Sequence, residues 1–205
     1  MRILRLKSNP REYTCNSYLI LGDHNHPEDV NTLIDPGMDD FILHELDSIS
    51  TGIGKKRVEQ ILLTHEHFDH HGGVRKIRAR YEARVMAFAE VEGVDRKLYG
   101  GEVLPAGDQK LIVLHTPGHS KDSLCFYFPN SYILFSGDTQ LNIQMPGGAY
   151  PYEFKNTLEK LATLRIESAY PGHGEPIFGD LAPILAKTLC NVNNSTLLYP
   201  HHLGE

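Results

Sequence analysis

From Thr64 the chain reads Thr64-His65-Glu66-His67-Phe68-Asp69-His70-His71-Gly72-Gly73, entered from the short apolar run Gln60-Ile61-Leu62-Leu63. This stretch constrains the fold more than any other. Imidazoles packed this closely repel one another when protonated, whereas neutral imidazole nitrogens and carboxylate oxygens are the donors that borderline divalent ions prefer. His65 and His67, two apart in an extended loop, can converge on one ion. Asp69 and His70 must then point elsewhere, toward a second ion a few ångströms away. The fold therefore has to deliver a buried strand to this loop and to bring further ligands opposite it.

Three other segments repeat the pattern of an apolar strand followed by a sharp turn that carries a ligand-type residue. They are Leu114-His115-Thr116-Pro117-Gly118-His119-Ser120, Ile133-Leu134-Phe135-Ser136-Gly137-Asp138-Thr139 and Ala169-Tyr170-Pro171-Gly172-His173-Gly174. A glycine beside each ligand lets the loop bend tightly and approach the site. The candidate set is His65, His67, Asp69, His70, His119, Asp138 and His173, enough for two ions of four or five coordination with one bridging carboxylate and water completing the shells.

Between these segments the pattern predicts a β-meander over residues 2–6, 17–21 and 32–34, a helix over 39–49, and a strand over 60–64. Helices follow over 71–80 and 89–99, with a strand over 84–87 between them. A second β-rich half has strands over 110–115, 123–128, 132–135 and 168–170, with helices over 151–164 and 181–191. No linker or sequence repeat separates the halves, about 1–100 and 101–205, so one domain over 1–205 is expected. This order fits two sheets packed face to face with helices outside.

Composition narrows the function. A chain of 205 residues with 40% apolar and 22% charged residues is long enough to bury a substantial core. Its net charge of −6, with both signs interspersed, provides no basic stripe for a phosphate backbone, so nucleic acid is not an expected partner. No apolar run reaches the roughly 18 residues of a membrane span, and residues 1–7 read as a strand and not as a signal peptide, so the cytoplasm is the expected location. Cys15, Cys125 and Cys190 lack any Cys-x-x-Cys spacing and are expected to be small core residues.

The His-x-His-x-Asp-His segment at 65–70, followed by His119, Asp138 and His173, and Leu33-Ile34-Asp35-Pro36-Gly37 ahead of the first helix, together resemble the metallo-β-lactamase fold superfamily. The resemblance implies an α/β fold, an αββα sandwich of two mixed β-sheets flanked by helices, with metals in a cleft at one edge of the sheets. By the family pattern His65, His67 and His119 bind the first ion, Asp69, His70 and His173 the second, and Asp138 bridges. It also implies that Asp35 lies beneath the metal loop and hydrogen-bonds a ligand histidine or the loop backbone. The ions expected are two divalent metals, zinc first, with iron or manganese as alternatives.

Such a site suits hydrolysis of a small-molecule thioester or lactone by a metal-bound hydroxide, with Asp69 positioning the nucleophile or handling its proton. The chain is similar in this respect to the glyoxalase-type hydroxyacyl-thioester hydrolases. Two alternatives stand beside this reading. One is a mononuclear non-haem iron persulfide dioxygenase using His65, His119 and Asp138, and the other is a metal-binding module without turnover. Asn142, Tyr150 and Tyr152 are expected to line the pocket. Thr64, Ser120 and Thr139 adjoin ligands and are candidates to steady them. His71 is expected where a helix begins, His115 on a strand, His44 on a helix face, His24 and His26 in a solvated turn, and His201 and His202 in a loose tail.

Overall fold

A computed structural model describes residues 1–38, 40–52 and 54–199. Asp39, His201 and His202 therefore lie outside the described residues. The strands are β1 (Arg2–Arg5), β2 (Tyr18–Leu21), β3 (Thr32–Ile34), β4 (Gln60–Leu62), β5 (Arg84–Ala87), β6 (Arg96–Lys97), β7 (Val103–Ala106), β8 (Gln109–His115), β9 (Leu124–Phe128), β10 (Ile133–Gly137), β11 (Ala149–Pro151), β12 (Ser168–Pro171), β13 (Ile177–Phe178) and β14 (Thr196–Leu198). The helices are α1 (Phe41–Ser48), α2 (Phe68–His71), α3 (Val74–Tyr81), α4 (Tyr152–Ala162) and α5 (Ala182–Asn193).

Two six-stranded mixed sheets result, one in the order β1-β2-β3-β4-β5-β6 and the other β13-β12-β10-β9-β8-β7; β11 and β14 form a small parallel pair. Period-two alternation makes the sandwich possible. In β2, Tyr18 and Ile20 face the space between the sheets while Leu19 and Leu21 face the helices, and in β9 Leu124, Phe126 and Phe128 face inward while Cys125 and Tyr127 face outward. Three cores follow from this alternation. One lies between the first sheet and α1 and α3, one between the sheets, and one between the second sheet and α4 and α5. The helices supply matching stripes: Val74, Ile77 and Tyr81 in α3, Phe154, Leu158 and Leu161 in α4, and Leu185, Thr188 and Val192 in α5 are buried. The result is an αββα sandwich.

The expected helix over 89–99 is absent. Gly93 adopts φ +94°, and Arg96–Lys97 pairs in parallel with Met86 and Ala87 as the edge of the first sheet. The Asp95 carboxylate anchors this edge by accepting the Val85 N–H at 2.8 Å and pairing with Arg78 at 2.6 Å. Tertiary pairing overrides the helical periodicity of the segment. The helix expected over 71–80 is two helices, interrupted at Gly72 and Gly73, so His71 closes α2 and does not open a helix. Cys15 and Cys125 are buried, but Cys190 is exposed on α5. No helix among the described residues is long and apolar enough to cross a membrane.

Candidate metal centre

Strands β3 and β4 are parallel within the first sheet, as are β10 and β12 within the second, and the residues that follow them meet at one edge of the sandwich. Asp35 follows β3, the Thr64–His71 loop follows β4, His119 follows β8, Asp138 follows β10 and His173 follows β12. Backbone hydrogen bonds tie these loops together: Leu124 N–H donates to Thr64 O at 2.7 Å, Gly172 N–H to Gly137 O at 2.7 Å, and Asn16 N–H to Gly172 O at 2.6 Å. Gly172 permits the approach. A Cβ there would lie 2.4 Å from Asp138 Oδ1 and 2.6 Å from His70 Cε1, distances no side chain tolerates.

The sequence-derived residues converge as two linked groups. In the first, His67 Nδ1 lies 3.0 Å from His65 Nε2 and 2.9 Å from His119 Nε2. Two nitrogens on one tetrahedral zinc at about 2.05 Å would stand roughly 3.3 Å apart, so the spacing is close to that of a ligand set. In the second, Asp69 Oδ2 lies 3.0 Å from His173 Nε2 and 3.8 Å from His70 Nε2. Asp138 touches both groups, with Oδ1 3.3 Å from His70 Nε2 and Oδ2 3.5 Å from His119 Nε2 and 3.6 Å from His173 Nε2. His70 Nε2, His173 Nε2 and Asp138 Oδ1 are buried without a hydrogen-bond partner among the described residues. Orphaned donors and acceptors are costly when buried, and three of them facing one point fit a cation bound between them.

Beneath this cluster a buried carboxylate organises the rings. Asp35 Oδ1 accepts the Thr64 N–H at 2.8 Å, and Oδ2 accepts the Thr64 hydroxyl at 2.7 Å and lies 2.8 Å from His70 Nδ1. With its proton given to Asp35, the Thr64 Oγ1 oxygen accepts from His65 Nδ1 at 3.0 Å. Both Nδ1 atoms are thus occupied as donors, which turns the Nε2 lone pairs of His65 and His70 into the site. Asp35 adopts a left-handed backbone with φ +49°, a strained conformation for aspartate that this network holds in place.

Burial, reinforced by the neighbouring His70 charge, lowers the His65 imidazole to about 4, so it is neutral at physiological pH. Burial likewise lowers His119. In His70 burial pulls downward too, but the Asp35 and Asp138 carboxylates outweigh it and raise the ring's affinity for a proton. Burial works against ionisation of Asp138, yet the neighbouring His70, 3.3 Å away, brings it down to about 2. His65 and His119 are thus neutral imidazoles beside an ionised Asp138, with His70 as the position where a cation and a proton compete.

Two cavities flank the centre. One, of about 560 Å³, is lined by Tyr13, Gln140, Asn142, Pro171, Glu175 and Ile177 among others. The other, of about 260 Å³, includes Gln140, Tyr150 and Phe154. Asn142 and Tyr150 therefore sit where expected. Tyr152 does not: it stacks on Tyr199, with ring centroids 4.9 Å apart. Tyr13 stacks on His173 at 5.2 Å, a neighbour no motif announces because the approach comes from the N-terminal loop. His71 packs on Phe68, and His115 packs on Phe88 with Nε2 on the Lys121 carbonyl at 2.9 Å. Ser120 bonds Ser123, and Thr139 receives the Cys125 thiol, so of the three hydroxyls only that of Thr64 bonds a converging histidine. A larger cavity of about 940 Å³ behind α3 contains none of the converging donors.

The family model "Metallo-beta-lactamase superfamily" matches residues 10–173. A hydroxyacylglutathione hydrolase from Rhodopseudomonas palustris (strain ATCC BAA-98 / CGA009) is 34% identical over 124 residues, covering 57% of this chain and 49% of that protein. An atrochrysone carboxyl ACP thioesterase from Aspergillus fumigatus is 30% identical over 156 residues, covering 71% of this chain and 47% of that protein. The chain thus spans about half the length of these curated relatives. The crystal structure of TTHA1623 in a di-iron-bound form superposes with a TM-score of 0.65 at 26% identity, covering 90% of this chain and 96% of that one. With the family model spanning the segment that carries every converging donor, the chain belongs to the metallo-beta-lactamase superfamily.

Proposed function

We propose that this chain is a two-metal hydrolase whose substrate is a small-molecule thioester. One observation carries the reading: the donors form two groups, His65–His67–His119 and Asp69–His70–His173, and Asp138 reaches both. A mononuclear site would need only part of this set. His65, His119 and Asp138 alone would serve a single iron and leave the Asp69–His70–His173 group without a task. The relatives support the choice of bond. One is named for an acyl-glutathione and the other as an ACP thioesterase, so they differ in thiol and share the thioester.

His65, His67 and His119 would hold one ion, Asp69, His70 and His173 the other, with Asp138 between. When bound, the ions, zinc or alternatively iron or manganese, supply Lewis acidity and lower the pKa of a shared water toward neutrality. The protein's own part is to aim and to manage protons. Asp35 and Thr64 hold the Nδ1 protons of His70 and His65, and with them the ring orientations. Asp69, less deeply buried than His70, has a carboxylate placed to orient the attacking water and accept its proton. The domain spans 1–205 in this reading and acts in the cytoplasm.

Elemental analysis of protein purified without added metal is expected to give close to two ions per chain, with turnover of an acyl thioester that depends on them. A reproducible single iron with oxygen-dependent activity would replace this reading with the dioxygenase. Asp138→Ala is expected to lose paired occupancy and turnover together, and a fully loaded, active variant would remove Asp138 from the bridging position.

A further inference from the structure

The two cavities beside the centre meet at His119, Asp138 and Gln140, so a scissile bond held there sends one arm of the substrate into each. Their linings are chemically consistent. Histidines aside, the charged side chains lining them among the described residues are the carboxylates Asp138 and Glu175. Arg5 reaches this rim only as the partner of Glu175, at 2.8 Å, which leaves a neutral pair. The remaining polar groups are neutral, the carboxamides of Gln140 and Asn142 and the hydroxyls of Tyr13, Ser136, Thr139 and Tyr150. Gln140 makes no hydrogen bond to any described residue, and Asn142 accepts through Oδ1 from Gln144, which keeps its own amide N–H groups available. Lys187 donates to Gln144 at 2.8 Å and lines neither cavity. Tyr13 on His173 and Tyr150 on Phe154 supply flat aromatic faces.

Resting on the thioesterase reading, we propose that the thiol arm of the substrate is uncharged and carries amides, as in acylated cysteamine chains, and is not the doubly carboxylated tripeptide glutathione. Carboxamides offer one donor and one acceptor face, and neutral amides of the substrate satisfy both. The carboxylates of glutathione would lose water without gaining an unpaired side-chain cation, since Arg5 is already taken by Glu175. In the reaction water oxygen forms the new C–O bond and the C–S bond breaks. The products are a carboxylate and an uncharged amide thiol; of the two protons of the water, one ends on the thiol sulfur and the other is released to solvent.

The test compares one acyl group on N-acetylcysteamine, on pantetheine and on glutathione, using the metal-defined protein. The two amide thioesters are expected to exceed the glutathione thioester in kcat/KM by about tenfold or more, the scale on which a mismatched charge discriminates. A pantetheine advantage over N-acetylcysteamine would place the second amide in the cleft as well. A glutathione ester that matches or exceeds both would overturn the proposal. Calorimetric binding of the corresponding S-butyl thioethers, which cannot be hydrolysed, separates the two readings. If no ester turns over but the amide thioether still binds more tightly, hydrolysis fails and the ligand class stands. Preferential binding of S-butylglutathione removes the ligand class whatever the turnover. Asn142→Lys is expected to shift the preference toward glutathione by about tenfold, and an unchanged preference would remove the arm from Asn142.

Discussion

At the scale of single residues, the centre depends on atoms that do not themselves face the cleft. Asp35→Asn keeps the shape but gives up the charge and one acceptor, so the amide can no longer hold the Thr64 hydroxyl and the His70 Nδ1 proton together. Metal affinity, measured by competition with a chromogenic chelator, is expected to fall on the order of 10–100-fold while circular dichroism stays unchanged. The thiols give a second expectation. Burial raises Cys15 to about 11 and raises Cys125 as well, so both remain protonated at neutral and mildly alkaline pH, whereas Cys190 is exposed. Iodoacetamide at pH 8 is expected to modify Cys190 alone in the folded protein, as read by peptide mass, and all three after denaturation. The ligand-type residues were visible in the sequence because four separate turns carry histidine or aspartate beside glycine. Cys190 and Tyr13 were not, because exposure and a stacking partner depend on how distant segments pack.

At the scale of elements, what was legible followed from period. The strands with two-sided apolar alternation and the helices with a clear stripe stand where the pattern put them, within a residue or two at their ends, as α4 shows. Short pieces escaped. Strands β7, β11, β13 and β14 are two to four residues long, and each exists because a neighbour offers unpaired backbone. Segment 89–99 shows the converse, since its spacing resembled a helix but the open edge of β5 claimed it. Helix α4 matters most for the cleft, because Phe154 packs under Gly118 beside His119 and Tyr150 stacks upon it. Leu158, fully buried one turn further along, couples α4 to the second sheet. Leu158→Ala is expected to destabilise the fold by about 2–5 kcal/mol in urea unfolding, with an unchanged slope, through a cavity that the surrounding sheet cannot fill.

At the scale of the whole molecule, the centre is where the two sheets are joined. Asp35 and the 64–71 loop leave the first sheet, and His119, Asp138 and His173 leave the second, so ions held among them would add to the side-chain packing and the few backbone hydrogen bonds, such as Leu124 N–H to Thr64 O, that join the two layers. Linkage gives the size of this effect. A ligand at about 1,000 times its dissociation constant stabilises the native state by roughly 4 kcal/mol per site. For a chain of this length each kcal/mol moves the midpoint by about 2–4 °C. Chelation is therefore expected to lower Tm by about 10 °C or more, with recovery on adding two equivalents of zinc. An unchanged Tm would mean that these residues hold no ion. The loss should also have a direction. Hydrogen exchange is expected to accelerate at the loops following β4, β10 and β12, where both sheets end, while the helix-covered cores around Leu46 and Leu158 keep their protection. A uniform acceleration across all layers would instead show that the ions sustain the whole fold and not the seam between its halves.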